Sequence, residues 1–430
     1  MNCLAASEGP VRFPRAAIAL ALIGVCLWAV ETRAAQPPYE MPPVLSARYL
    51  LPRDMLAGPL FRLDDRVPTD GYMGHFTLRS DLGTFTVVSR DLLKIRIAEL
   101  SAIQQLDQMS QTQVFLSGAA NAAARPIEAA VNIVTNPVQT VESIPSGIGR
   151  FFDRVEMGAQ SIVQAATDPS TTSQQKAEQT ATRVGDVTIT ALGFEQVRRQ
   201  LAKNLGVDPY TTNPVLAEKL TNIAWVAFSG RLGVDVLVSA VMPGSMAIQA
   251  TSFTNDLVYD TPKADLILLN KQKMITMGAS EWLADELIKN RWYSLTVLTS
   301  LLTELERLAG VAGRPTVIAL ARTVESEEEA RFVVASVQML AKLNVTGMPL
   351  RELAARRTVL GITPDSAIVI PAPVDYVSWT EQIARLAERP DLQASRRGIW
   401  LTGRMSARTQ VGLSRLGWAI HDAPPVMQTW

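Results

Sequence analysis

Both cysteines of this 430-residue chain, Cys3 and Cys26, lie within its first 34 residues. That placement limits what the rest can fold into. The same stretch has the layout of a secretory leader: Arg12 and Arg15, then fifteen apolar residues, Ala16–Val30, then Glu31-Thr32-Arg33-Ala34. A positive start, a short hydrophobic run and small residues at the break are what a signal peptidase reads. Thr32 and Ala34 fit its two small pockets, so residues 1-34 read as a signal peptide cut after Ala34, with Ala35 the nearby alternative. The run falls short of the about 20 apolar residues a spanning helix needs, which ranks an uncleaved membrane anchor second. Cys26 does not mark a lipoprotein, because Val25 before it is bulky and Leu27–Val30 continues the apolar run.

The mature chain therefore has no cysteine and no disulfide framework, and must be held by its hydrophobic core. It is long enough for two or three domains. Nine lysines among 41 basic residues fit a GC-rich bacterial genome. A formal net charge of zero provides no long-range field for nucleic acid or an acidic polymer.

Patterning predicts an α+β fold, predominantly α-helical. Residues 35-160 carry a proline-rich extended start, an N-terminal β-hairpin and amphipathic helices. In the hairpin, Phe76 and Leu78 face Phe85 and Val87 across Ser80-Asp81-Leu82-Gly83. Ser89 or Asp91 can cap the helix that follows. The span 114–155 reads as short alanine-rich helices. Residues 161-182 read as a polar linker. A helical domain follows over 183-312, where Asn213 fits an N-cap and Pro214 the first helical position. Residues 313-430 read as a small α+β C-terminal domain. There Val317–Leu320 is strand or short helix, and Ser326 caps a helix with an acidic first turn. A hairpin turns at Thr363-Pro364-Asp365-Ser366, and a strand, helix and strand close the chain.

Most catalytic chemistries lack their parts. His75 and His421 are the only histidines, so with no mature cysteine neither a Cys-based nor a three-His zinc site can be built. No Gly-x-Ser-x-Gly elbow supplies a nucleophile, and no phosphate-binding loop occurs. Ser173-Gln174-Gln175-Lys176 matches Ser-x-x-Lys but sits in the most polar stretch, without a Lys-Thr-Gly partner. Carboxylates remain: Asp64 and Asp65, Asp375 beside Tyr376, and Glu325, Glu327, Glu328 and Glu329, which read as a solvated helix start. A glycoside hydrolase needs two carboxylates across a cleft, which makes Asp375 with Asp64 or Asp65 the catalytic candidates. Two apolar spans stand out as well, 114–155 and 236–255, the second free of charge for twenty residues but broken by Pro243-Gly244. Each is either buried core or a lipid-facing surface.

Gly206-Val207-Asp208-Pro209-Tyr210-Thr211-Thr212-Asn213-Pro214 with Ala224-Trp225, Gly71-Tyr72, and Leu401-Thr402-Gly403 with Gly417-Trp418 resemble segments of an uncharacterised family of exported bacterial proteins. The resemblance spans most of the mature chain and assigns no site residue. The expectation is an exported envelope protein, periplasmic or secreted and peripherally membrane-associated. It would be a non-enzymatic binding or scaffold protein with no cofactor, no metal, no nucleotide and no nucleic acid. Its partner would be a lipid or an envelope protein; the alternative is a carboxylate-dependent hydrolase acting on envelope polymer.

Overall fold

The alternating residues of the expected hairpin form β5 (His75–Ser80) and β6 (Gly83–Val88), paired antiparallel with Phe76 opposite Val87. Gly83 closes the turn at a φ of 123°, a conformation that suits glycine. The hairpin is part of a larger sheet. β3 (Phe61–Leu63) and β2 (Ala57–Gly58) extend it in the order β2-β3-β5-β6. The proline-rich start is extended only in part: β1 (Val44–Ser46) pairs with β4 (Arg66–Pro68), and Ser46 then caps α1 (Ala47–Leu50). The computed structural model describes residues 38–111, 148, 150–152, 185–228 and 252–423. The linker at 161-182, the Ser173–Lys176 pair and most of spans 114–155 and 236–255 lie outside these.

Ser89, at a φ of 75°, accepts a hydrogen bond from Leu92 N and caps α2 (Arg90–Ser110). Leu92, Leu93 and Leu100 of α2 seal the buried face of the hairpin, where Phe76, Leu78 and Val87 meet them. One turn further along, Ile103, Leu106 and Met109 pack on α3 (Gly185–Leu205) and α4 (Pro214–Val226). Asn213 caps α4 by accepting from Val215 N, and Pro214 occupies a first-turn position where its missing N–H costs nothing.

Helices α5 (Ser252–Asp260), α6 (Lys263–Thr276) and α7 (Glu281–Lys289) lead to α8 (Leu295–Arg307). Leu298, Leu301, Leu302 and Leu305 recur at i, i+3, i+4 and i+7 on α8 and are buried. They face α10 (Glu327–Val345), whose Ala330, Val333, Val337 and Leu340 are also buried. Each fully buried leucine or valine contributes about 1.5–3 kcal/mol relative to exposure. Between them, Val317–Leu320 belongs to a helix, α9 (Arg314–Ala321). Gly313 starts it at a φ of 80°, where an added Cβ would lie 2.0 Å from the Leu353 carbonyl oxygen.

Apart from a short parallel pair, β10 (Tyr376–Val377) with β12 (Arg404–Met405), the C-terminal strands form one sheet in the order β13 (Ala419–Asp422), β11 (Arg397–Leu401), β9 (Ile368–Ala372), β8 (Val359–Ile362), β7 (Glu352–Ala355). β7, β8 and β9 are antiparallel, turning at the expected Thr363–Ser366 loop. β9, β11 and β13 are parallel. Parallel neighbours need crossovers, supplied here by α11 (Glu381–Glu388) and α12 (Ala407–Arg415). α10 covers one face; α11, α12 and Trp418 belong to the apolar cluster on Leu360, Ile362, Ile368 and Ile370. Burial on both sides explains why β8 and β9 read as unbroken apolar runs.

Candidate functional site

In open sheets with parallel strands, ligands bind in the crevice outside the carboxyl ends. β9 and β11 end at Ala372 and Leu401, and the loops after them approach closely. Gly403 makes this fit, since a Cβ there would lie 2.2 Å from the carbonyl oxygens of both Val374 and Asp375. The segment Gly71–Gly74 lies against the loop after β9. Asp375 N and Tyr376 N donate to Tyr72 O at 2.9 and 3.1 Å, and Ser378 N donates to Gly71 O at 3.2 Å. Tyr72 and Met73 are buried, and Tyr72 meets Phe152 edge-on at 5.4 Å.

Asp375 stands at the centre of this junction. Its carboxylate accepts from Gly74 N at 3.0 Å and from Arg90 N at 3.0 and 3.2 Å. It thus ties the hairpin and the first turn of α2 to the C-terminal sheet. Burial pushes its pKa up to about 6, against the two amides and the Arg90 charge, which favour the ionised form.

A second carboxylate shapes the same segment. Asp70 Oδ1 accepts from Tyr72 N at 2.9 Å and Met73 N at 2.7 Å, folding residues 70–73 into a side-chain-braced turn. Its Oδ2 lies 3.1 Å from His75 Nε2. The two side chains are only 4% and 14% exposed. Burial pulls the His75 pKa down, but the Asp70 hydrogen bond and the charges of Asp70, Glu328 and Asp375 outweigh it and leave it raised. Glu328, in the first turn of α10, acts on this pair through its charge. Burial raises its pKa to about 7, opposed by His75 and reinforced by Asp70, Glu327 and Glu329.

One position earlier, Glu327 joins a different network. Arg96 donates to Glu99 at 2.8 Å, Glu327 at 3.0 Å and Thr212 Oγ1 at 2.8 Å. Thr211 Oγ1 and Asn213 Nδ2 donate to Glu99, Thr212 Oγ1 donates to Glu327, and Arg331 Nε donates to Glu327 at 2.9 Å. Asp208 accepts from Thr296 Oγ1 and Tyr210 N, and burial raises its pKa. The Gly206–Pro214 segment is therefore a staple between α2, α8 and α10.

The chain matches no family model, no curated protein and no solved structure.

The sequence candidates fall on separate partners. Asp64 forms a two-point pair with Arg79, both contacts at 2.7 Å, and the Arg79 hydrogen bond holds its pKa low. Asp65 accepts from Ser46 Oγ at 2.7 Å on the surface. Neither shares a partner with Asp375. His421 stacks on Trp400 at 4.5 Å on the sheet edge. The glutamate run is not a solvated helix start: Glu329 is 2% exposed and accepts from Glu325 N, while Glu327 and Glu328 are half-buried. Sequence reasoning missed Asp70, His75 and Glu328 as a group. The one local signal was Asp70-Gly71 before a histidine-led strand, an Asx-turn pattern.

Among the described residues, no three His, Cys, Asp or Glu side chains are grouped to hold a metal ion, and no helix is long and apolar enough to cross a membrane. An apolar cavity beside Ile370, Leu401, Met405 and Trp418 holds about 60 Å³. A drug-sized ligand needs roughly 300 Å³ or more.

Proposed function

We propose that this chain is a non-enzymatic scaffold or binding protein of the bacterial envelope, exported by its leader, whose partner is met at its surface. The observation that carries this reading is the use of the carboxyl end of β9. Gly71–Gly74 lies against that loop, and the Asp375 carboxylate is bound by two main-chain N–H groups. A carboxylate held this way, 6% exposed, organises backbone. The 60 Å³ cavity favours a surface partner over an apolar ligand held in the core.

The direct test incubates the purified full-length protein with isolated envelope polymer and measures soluble fragments released. Neither wild type nor Asp375→Asn should release any. Release by wild type that is lost in D375N would overturn the reading in favour of a hydrolase. Location is tested separately by fractionating a C-terminally tagged copy and washing the membranes with alkaline carbonate. Recovery outside the cytoplasm is expected, and a wholly cytoplasmic copy would contradict export.

A further inference from the structure

The β1–β4 pair and α1 present an outer side that mixes arginine with apolar side chains. In the strand pair, Leu45 lies opposite Val67, and both join the core beneath the hairpin, Val67 completely buried. Val44 opposite Pro68 and Ser46 opposite Arg66 therefore share the other face. Val44 is 51% exposed there, and Arg66 is exposed on the same face. α1 continues this side. Ala47 and Leu50, one helical turn apart, are buried, which leaves Arg48 and Tyr49 on the outside. The Asp65 carboxylate joins the two elements: it accepts from Ser46 Oγ at 2.7 Å and lies 3.9 Å from Arg48 Nε. Arg404 of β12 places its guanidinium 4.4 Å from the centre of the Tyr49 ring. Met41, 86% exposed, leads into β1.

We propose that this patch docks the protein on the surface of an anionic phospholipid bilayer. The inference rests on the surface-binding reading above and names its partner.

Charge complementarity selects the occupant. Arg48, Arg66 and Arg404 stand against one aspartate, and among the described residues neither Arg66 nor Arg404 is ion-paired. A guanidinium fork matches the paired oxygens of a phosphate. The whole chain is formally neutral, so attraction acts at short range through this patch. The apolar members then distinguish a bilayer from a soluble acidic polymer, which would leave Val44 and Met41 in water. A bilayer interface takes up aliphatic side chains, holds tyrosine at headgroup depth and lets arginine keep its charge among the phosphates. Tyr49 is 43% exposed, and its ring is braced by Arg404 and by an edge contact with Tyr376 at 6.3 Å.

The test is co-sedimentation of the full chain with vesicles of phosphatidylcholine alone and of phosphatidylcholine with phosphatidylglycerol. Partition should favour the anionic vesicles and weaken as salt is raised. An arginine beside an anionic surface adds about fivefold, so Arg48→Gln, Arg66→Gln and Arg404→Gln combined should lose about 100-fold. Lys289→Gln removes a cation that is 71% exposed on α7, outside the patch, and should bind like wild type. Met41→Ser with Val44→Ser keeps every charge and should weaken binding to both kinds of vesicle. Equal partition of wild type to the two vesicles would overturn the inference. So would a triple arginine variant that binds like wild type, or an equal loss per charge in K289Q. Capture by isolated acidic polymer or an envelope protein, with no binding to vesicles, would assign the patch to another partner and overturn it too. Each of these results leaves the scaffold reading standing, because polymer release and fractionation test that separately.

Discussion

Glu327 and Glu328 are adjacent in the first turn of α10, yet they serve two regions with opposite chemistry. Glu327 enters the arginine region with Arg96, Arg331 and Thr212. Burial alone would raise its pKa, but the two guanidiniums win and hold it below its ordinary value. Glu328 enters the hairpin region, where Asp70, Glu327 and Glu329 add to burial against a single histidine, and its pKa climbs to about 7. The residue type, the helix and the favourable helix dipole are common to both. What differs is the set of groups that tertiary structure brings to each face. A buried carboxylate's proton affinity is decided by its neighbours, with position along the helix a minor influence.

This contrast can be broken most forcefully in the arginine region. Arg96→Met should cost about 3–5 kcal/mol in denaturant unfolding, because it strands Glu99, which is 1% exposed, and weakens the hold on Glu327. Asp375→Asn should cost about 1–3 kcal/mol, since a neutral amide offers one acceptor oxygen and no charge to the N–H groups of Gly74 and Arg90. The sharpest comparison pairs two conservative variants. Glu327→Gln should destabilise above pH 4.5 and flatten the loss of stability on acidification, because a lowered pKa gives stability that vanishes as pH falls through it. Glu328→Gln should do the reverse, stabilising by about 1 kcal/mol at pH 8 and flattening the slope between pH 8 and 6. The smallest effect belongs to Asp64→Asn, whose exposed pair with Arg79 should leave the melting temperature unchanged within error.

Local features were legible in the sequence because their causes are local. Alternation in 76–87 specified the hairpin. Asn213-Pro214 and Ser326 marked helix starts that the structure keeps, and the closing strand, helix and strand are present as β11, α12 and β13. Of the candidate site only Asp375 was legible, and its partners were not, for the opposite reason. Asp375 reaches Gly74 and Arg90 across 301 and 285 positions of chain, a pairing that no spacing rule encodes. The acidic start of α10 looked like a solvated turn because charge and an N-cap suffice to explain it. Its partners, such as Arg96 of α2 and Thr212 on Glu327, come from far along the chain and only the assembled fold supplies them. Val317–Leu320 was ambiguous as a short apolar run, and it resolves to a helix because Gly313 lets the chain turn tightly beside Leu353.

The most direct test of this account is a site-resolved NMR titration of the side-chain carboxyls of Glu327 and Glu328 in the folded protein, assigned with the two glutamine variants. Glu328 should titrate near pH 7 and Glu327 below 4.5. Matching midpoints for the two, or an ordinary value near 4.5 for Glu328, would contradict it.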